Sequence, residues 1–139
     1  MALRRLDHVL VLTDELEATR AFYCDVLGLE AGERPELPFP GYWLYLGGSP
    51  CLHVAERSAY EAHAATIGLG VGAAPVDHLA FDAEDDPALA ERLDAAGLRA
   101  TENDVPEARM RQLFLDDPNG VRVELNVAAG GLAGTGAGG

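Results

Sequence analysis

The sequence predicts an α+β fold made of two tandem β-α-β-β-β modules. Three observations carry this. The stretch "LDHVLV" at residues 6–11 returns as "VDHLAF" at 76–81, with the two histidines 70 positions apart. Each stretch precedes a helical pattern that stops at a glycine, Gly28 and Gly97, 20 and 19 residues after its histidine. Each half then closes on two β-rich runs joined by a turn sequence. Agreement in order and spacing outweighs the dipeptides themselves.

The first module covers about residues 4–57. "LDHVLVL" is apolar on both faces, which suits a strand covered on both sides. In "TDELEATRAFYCDVLGLE", Thr13 or Asp14 caps a helix, Glu17 completes a capping box with Asp14, and Gly28 ends it. A short strand is expected near 30–33. "YWLYL" and "CLHVA" read as two strands about a Gly-Gly-Ser-Pro turn. The second module, about 74–127, repeats this order. "VDHLAFDA" is a strand. The next helix has Asp86 as cap, Pro87 at its first position and Gly97 beyond its end. "MRQLFLDDPNGVRVELNV" is a hairpin turning at Asp117-Pro118-Asn119-Gly120. The connector, 58–73, holds a short helix capped by Ser58 and Glu61, then a Gly-rich link. Residues 1–127 thus form one domain of two modules, and 128–139 are a flexible Gly/Ala tail with little to bury.

Composition excludes several functions. At 139 residues and 48% hydrophobic, the chain can bury a core. A net charge of −13 repels nucleic acid and anionic membranes. All ten basic residues are Arg. Lysine Schiff-base chemistry is therefore excluded, and Arg is the only permanent cation for an anionic substrate. Cys24 and Cys51 form no CxxC pattern and read as reduced, mostly buried thiols of a cytoplasmic protein. No signal peptide or membrane span is legible.

Strand alternation then sorts the polar residues. Val121, Val123, Leu125 and Val127 share one face, a seat for the helix. Arg122, Glu124 and Asn126 take the other. Leu52 and Val54 likewise face the helix, leaving Cys51, His53 and Ala55 opposite. His53 and Glu124 are therefore counterparts on the last strands, as His8 and His78 are on the first. If the sheets curve side by side, these four metal-capable groups converge. Two His and a carboxylate suit Fe(II), and Zn(II), Ni(II) or Mn(II) accept mixed His/Glu sets. A lone His on a strand is ordinarily a hydrogen-bonded core residue, but an unpaired Glu124 among valines and leucines would be costly. His63 has no counterpart and reads as a solvent-exposed helix residue. Trp43 and Tyr45 share the parity of His53, and Gln112 and Phe114 that of Glu124. They line a pocket for a flat ligand or simply fill the space. Arg109 or Arg111, just before the hairpin strand, either holds a substrate carboxylate or, as is commoner for an arginine, is a solvated surface residue.

These residues resemble the vicinal oxygen chelate superfamily, which includes glyoxalase I, fosfomycin-resistance enzymes, bleomycin-resistance proteins and extradiol dioxygenases. The resemblance covers about residues 4–127 and is most specific in "LDHVLVLTDELEATRAFYCDVLGLE" and "LFLDDPNGVRVEL". It implies a cupped, partly open mixed sheet with helices outside, around a divalent metal ion (Fe, Zn, Ni or Mn) that a small substrate chelates through vicinal oxygens. The implied metal ligands are His8, His78 and Glu124. The remaining family position holds His53, where glyoxalase I has Glu or Gln. Extradiol dioxygenases are similar to this chain in keeping a His near there as acid/base. The resemblance thus implies dioxygenase-like chemistry first, with a glyoxalase-type lyase or isomerase and a non-catalytic drug-binding protein as alternatives. His53 is either the catalytic acid/base or a fourth ligand. Substrate contacts are expected from Trp43, Tyr45, Gln112, Phe114 and Arg111. Open strand edges and family habit imply a homodimer.

Overall fold

A computed structural model describes residues 4–71, 78–106 and 109–128. The chain divides into two compact units, residues 1–74 and 75–139.

In unit 1, β1 (Val9–Thr13) leads to α1 (Leu16–Ala21), which widens into a π turn (Phe22–Val26). Then come β2 (Glu30–Gly32), β3 (Gly41–Leu46), β4 (Ser49–Glu56) and α2 (Arg57–Thr66). The sheet order is β1-β4-β3-β2, with β1 parallel to β4 and the other pairs antiparallel. In unit 2, β5 (His78–Ala83), α3 (Pro87–Ala95), β6 (Thr101–Val105), β7 (Met110–Asp116) and β8 (Arg122–Ala128) give the order β5-β8-β7-β6 with the same pairing senses. The doubled α+β architecture is therefore real. Among the described residues no helix is long and apolar enough to cross a membrane.

The registers match residue for residue. Leu10 pairs with His53 in β1–β4, and Ala80 pairs with Glu124 in β5–β8. Trp43 lies opposite His53, and Phe114 opposite Glu124. Alternation places the buried residues as expected. Leu52, Val54, Leu113, Leu115, Val123, Leu125 and Val127 are all buried, while their alternating neighbours His53, Gln112, Phe114 and Glu124 are only half-buried.

The helices differ more than the sheets. The Thr13 hydroxyl accepts the Glu15 N–H at 2.8 Å, and Thr19 donates to the Glu15 carbonyl at 2.7 Å. The first turn of α1 is thus fixed by a threonine pair. The expected Asp14–Glu17 capping box does not form: Glu15 is the N-cap and makes no side-chain cap bond. Similarly, α2 starts at Arg57 with Glu56 at the N-cap, so Ser58 lies inside the first turn and bonds Glu56 instead of capping. The Asp86 cap does form, accepting from the Ala88 N–H at 3.0 Å with Pro87 following. Gly28 and Gly97 adopt φ of 91° and 70°, the left-handed conformation that ends a helix without Cβ strain. The π turn takes up one extra residue, matching the longer interval from His8 to Gly28. The Asp117 turn closes as expected, its Oδ1 accepting from Asn119 and Val121.

Two smaller expectations are corrected. His63 is not a bare surface residue, because its ring lies 5.4 Å from that of Phe39. Cys24 and Cys51 are free but only half-buried; Cys51 alternates with the buried Leu52 and so takes the His53 face of β4. Burial nonetheless raises the Cys24 pKa and disfavours its thiolate.

Candidate metal centre

Unit 1 gathers His8 and His53. The His53 ring is sandwiched: Trp43 stacks at 4.2 Å and 8° on one face, His8 at 3.8 Å and 12° on the other. Cross-strand pairing puts Trp43 directly opposite His53, and the backbone leading into β1 brings His8 over it. His53 bonds the backbone of Pro50, which has only a carbonyl to offer, so one ring nitrogen carries the proton. Its Nε2 is buried and has no hydrogen-bond partner. That nitrogen therefore presents a lone pair. Burial first, and then the neighbouring His8, lowers the His53 pKa and favours the neutral base.

His8 is held differently. Its Nδ1 lies 2.8 Å from Asp7 Oδ2. The His8 bond, more than any other interaction, lowers the Asp7 pKa, so the carboxylate is ionised and accepts only. Nδ1 then carries the hydrogen, and Nε2 is left as the electron donor. A carboxylate behind a histidine is the arrangement that fixes a metal ligand's tautomer. Asp77, the counterpart of Asp7, lies outside the described residues.

Unit 2 gathers His78 and Glu124. His78 Nε2 is 3.5 Å from Glu124 Oε1, and the Glu124 side chain is 12% exposed. Its other oxygen accepts from Gln112 Nε2 at 3.2 Å. The same Gln112 nitrogen reaches Asn126 at 3.3 Å, and Asn103 donates to Gln112 Oε1 at 2.9 Å. An amide relay across β6, β7 and β8 thus holds one carboxylate oxygen and turns the other toward His78. Gln112, expected at a substrate, spends its amide on orienting Glu124.

Arg111 stands elsewhere. It is inside β7 and has the parity of Leu113, so it faces the α3 side of the sheet, away from Glu124. Its Nη2 is 3.5 Å from Asp85, and it lines a cavity of about 680 Å³ beneath α3. The expectation that it grips a substrate beside Glu124 is corrected, and the same strand alternation could have corrected it at the outset. Arg109 is exposed, with φ of 50°. Trp43 and Tyr45 share the His53 face, and the Tyr45 hydroxyl donates to the Glu33 carbonyl at 2.6 Å.

The donor chemistry fits a divalent ion. Two donors about 2.1 Å from one ion stand roughly 3.0–3.4 Å apart for right-angle to tetrahedral geometry. The 3.5 Å between His78 and Glu124 is close to that. Each unit supplies two such groups, and no cluster of three or more metal-capable side chains occurs among the described residues. His8 and His53 cannot both bind one ion as they stand. Imidazole lone pairs lie in the ring plane, and stacked rings sit about 3.5 Å apart. An ion in one plane is then too far from the other ring for a bond of about 2.1 Å.

Sequence comparison agrees with this doubled architecture. Residues 5–125 match the model of the Glyoxalase/Bleomycin resistance protein/Dioxygenase superfamily. The chain belongs to this superfamily. It is 30% identical over 127 residues to Glyoxylase I 4 of Arabidopsis thaliana, covering 88% of this chain and 70% of that protein. The lactoylglutathione lyase structure from Agrobacterium tumefaciens superposes with a TM-score of 0.68 at 25% identity, over 94% of this chain and 96% of that one. A fosfomycin resistance protein of Listeria monocytogenes shares the fold, with a TM-score of 0.65 at 16% identity over 90% and 93% of the two chains. This glyoxalase-like fold is the one the family resemblance implied.

Proposed function

We propose that the chain is a divalent-metal-dependent enzyme acting on a small substrate that chelates the metal through two vicinal oxygens. The metal ligands are His8, His78 and Glu124, and His53 moves the proton. The observation that supports this most is the matched register. The position that holds an acid-accepting carboxylate in unit 2 holds a buried imidazole with a lone pair in unit 1.

A bound divalent ion would polarise the two substrate oxygens and acidify the adjacent C–H or O–H. His53 Nε2 then accepts that proton and returns it, which a neutral histidine can do near neutral pH. Trp43 and Tyr45 bound the same face, and Gln112 keeps Glu124 turned toward its ligand position. Similarity to proteins named glyoxylase I and lactoylglutathione lyase supports an isomerase or lyase reaction. A dioxygenase is the second reading. It is favoured by the stacking, which limits the protein to three ligands and leaves room for a bidentate substrate and O2.

The substrate assay tests this directly. Wild type and His53→Ala are given the methylglyoxal–glutathione adduct with Ni(II) or Zn(II), and separately catechol with Fe(II) under oxygen-uptake measurement. Turnover of the first, lost in the variant, supports the isomerase or lyase. Oxygen uptake lost in the variant supports the dioxygenase. Indifference to metal together with tight binding of planar antibiotics would make the chain a drug-binding protein instead. We further propose a cytoplasmic homodimer, because a site that needs two units can draw them from one chain or two. Activity recovered on mixing inactive His8→Ala and Glu124→Gln proteins would show sharing between subunits. A monomer by light scattering would reject the dimer.

A further inference from the structure

With Arg111 on the far face, the cation for an anionic substrate must be sought elsewhere. Arg34 stands out. The chain has 23 Asp and Glu against ten Arg. The other half-buried arginines with described surroundings make ionic or polar contacts: Arg20 with Glu17 and Asp25, Arg111 with Asp85, and Arg92 is likewise engaged. Arg34 is half-buried, yet no carboxylate lies within ion-pair distance of it among the described residues. Its guanidinium is held by neutral groups. Nη2 donates to the Phe39 carbonyl at 2.6 Å, and the carbon centre lies 5.3 Å from the centroid of the Phe39 ring. The remaining N–H donors are thus oriented without being neutralised, a state that suits an incoming anion.

Arg34 shares an open surface cavity of about 480 Å³, a shallow groove, with Trp43, Tyr45, Pro35 and Glu33. Trp43 has one face on His53, so this cavity adjoins the proposed proton carrier. Tyr45 is locked in place. Its ring lies across Gly32, where an added Cβ would come within 2.7 Å of it, and its hydroxyl is tied to Glu33. The cavity therefore offers aromatic surface beside one pre-set, unneutralised guanidinium.

We infer that Arg34, with Trp43 and Tyr45, forms a recognition subsite for a ligand joining a carboxylate to a planar apolar group. This deepens the reading above by naming what the substrate carries, and it rests on that reading only for the link to catalysis. Arg34 grips the carboxylate, Trp43 and Tyr45 cover the planar part, and the Glu33 carboxylate tempers affinity by like-charge repulsion.

The test uses the full chain stripped of metal. Trp43 is the one tryptophan, so its fluorescence reports this subsite alone. Phenylacetate and its neutral isostere phenylacetamide are titrated. Phenylacetate should change Trp43 emission saturably and bind about tenfold tighter than the amide, the ratio one charge-assisted hydrogen bond supplies. Arg34→Gln should remove that tenfold preference. Glu33→Gln should tighten phenylacetate severalfold, a gain that loss of folding cannot produce. Equal binding of the two probes, or a preference that survives Arg34→Gln, overturns the inference. Because no metal is present, that failure leaves the metal-site reading untouched, and failed metal binding leaves this result untouched.

Discussion

The two units share topology and register but put different chemistry on equivalent positions. Unit 1 carries an aromatic sandwich of Trp43, His53 and His8, held by stacking and the desolvation of His53. Unit 2 carries a carboxylate inside an amide relay, held by hydrogen bonds from Gln112. The sheet decides where a functional side chain stands, and the neighbour opposite it decides what that side chain can do. The covered faces differ too. Tyr23, within the π turn of unit 1, is completely buried, whereas α3 buries only Leu93 and leaves a cavity of about 680 Å³.

The largest expected effect tests that second contrast. Tyr23→Ala should cost about 3–5 kcal/mol of unfolding free energy, because nothing can collapse into the space. Leu93→Ala borders an existing cavity and should cost about 2 kcal/mol, the low end for such truncations. Urea denaturation of both proteins checks the difference, and equal costs would mean that the cores are packed alike.

Glu124→Gln comes next. It should weaken metal binding about a hundredfold, measured by calorimetric titration with Zn(II) or Ni(II), since it removes a charged ligand. Gln112→Ala should weaken it about tenfold by releasing the orienting bond. Unchanged affinity in both variants would remove Glu124 from the ligand set.

His8→Ala and His53→Ala separate the roles of the stacked pair. The first should lose metal affinity on the scale of Glu124→Gln, and the second should keep it within a few-fold while losing turnover. The reverse pattern would make His53 the ligand.

A pH effect follows from the burial of His53. Its folded pKa lies below the usual histidine range, so folding favours the neutral ring. Stability is full above the unfolded histidine value and falls as pH drops through the lowered folded one. His53→Gln should flatten that segment of the stability profile, read as urea midpoints against pH.

The smallest effect concerns the exposed Tyr42–Glu17 pair, where the tyrosine hydroxyl bond, ahead of Arg20, holds the Glu17 carboxyl low and Tyr42 correspondingly high. Tyr42→Phe should let Glu17 titrate at higher pH by NMR while changing stability by less than about 0.5 kcal/mol.

The sequence by itself determined the doubled β-α-β-β-β order, the helix-ending glycines, the Asp117 turn and the face on which His53 and Glu124 lie. Those features follow from local rules: positive-φ demands, turn chemistry and the two-residue period of a strand. That period also held the answer for Arg111, since a residue next to Gln112 in one strand must face the other way. Caps were less legible. Thr13, Asp14, Glu17 and Ser58 are all competent, and which one acts depends on where the preceding strand delivers the backbone. Tertiary structure alone decided that His8 stacks on His53, which forbids joint ligation of one ion. It alone brought Asn103, Gln112 and Glu124, from three strands, into one relay. It alone left Arg34 with no carboxylate at ion-pair distance among the described residues, in a chain rich in acidic groups. Such facts depend on ring planes and distances between residues far apart in the chain, and no periodicity in the sequence encodes an angle between two side chains.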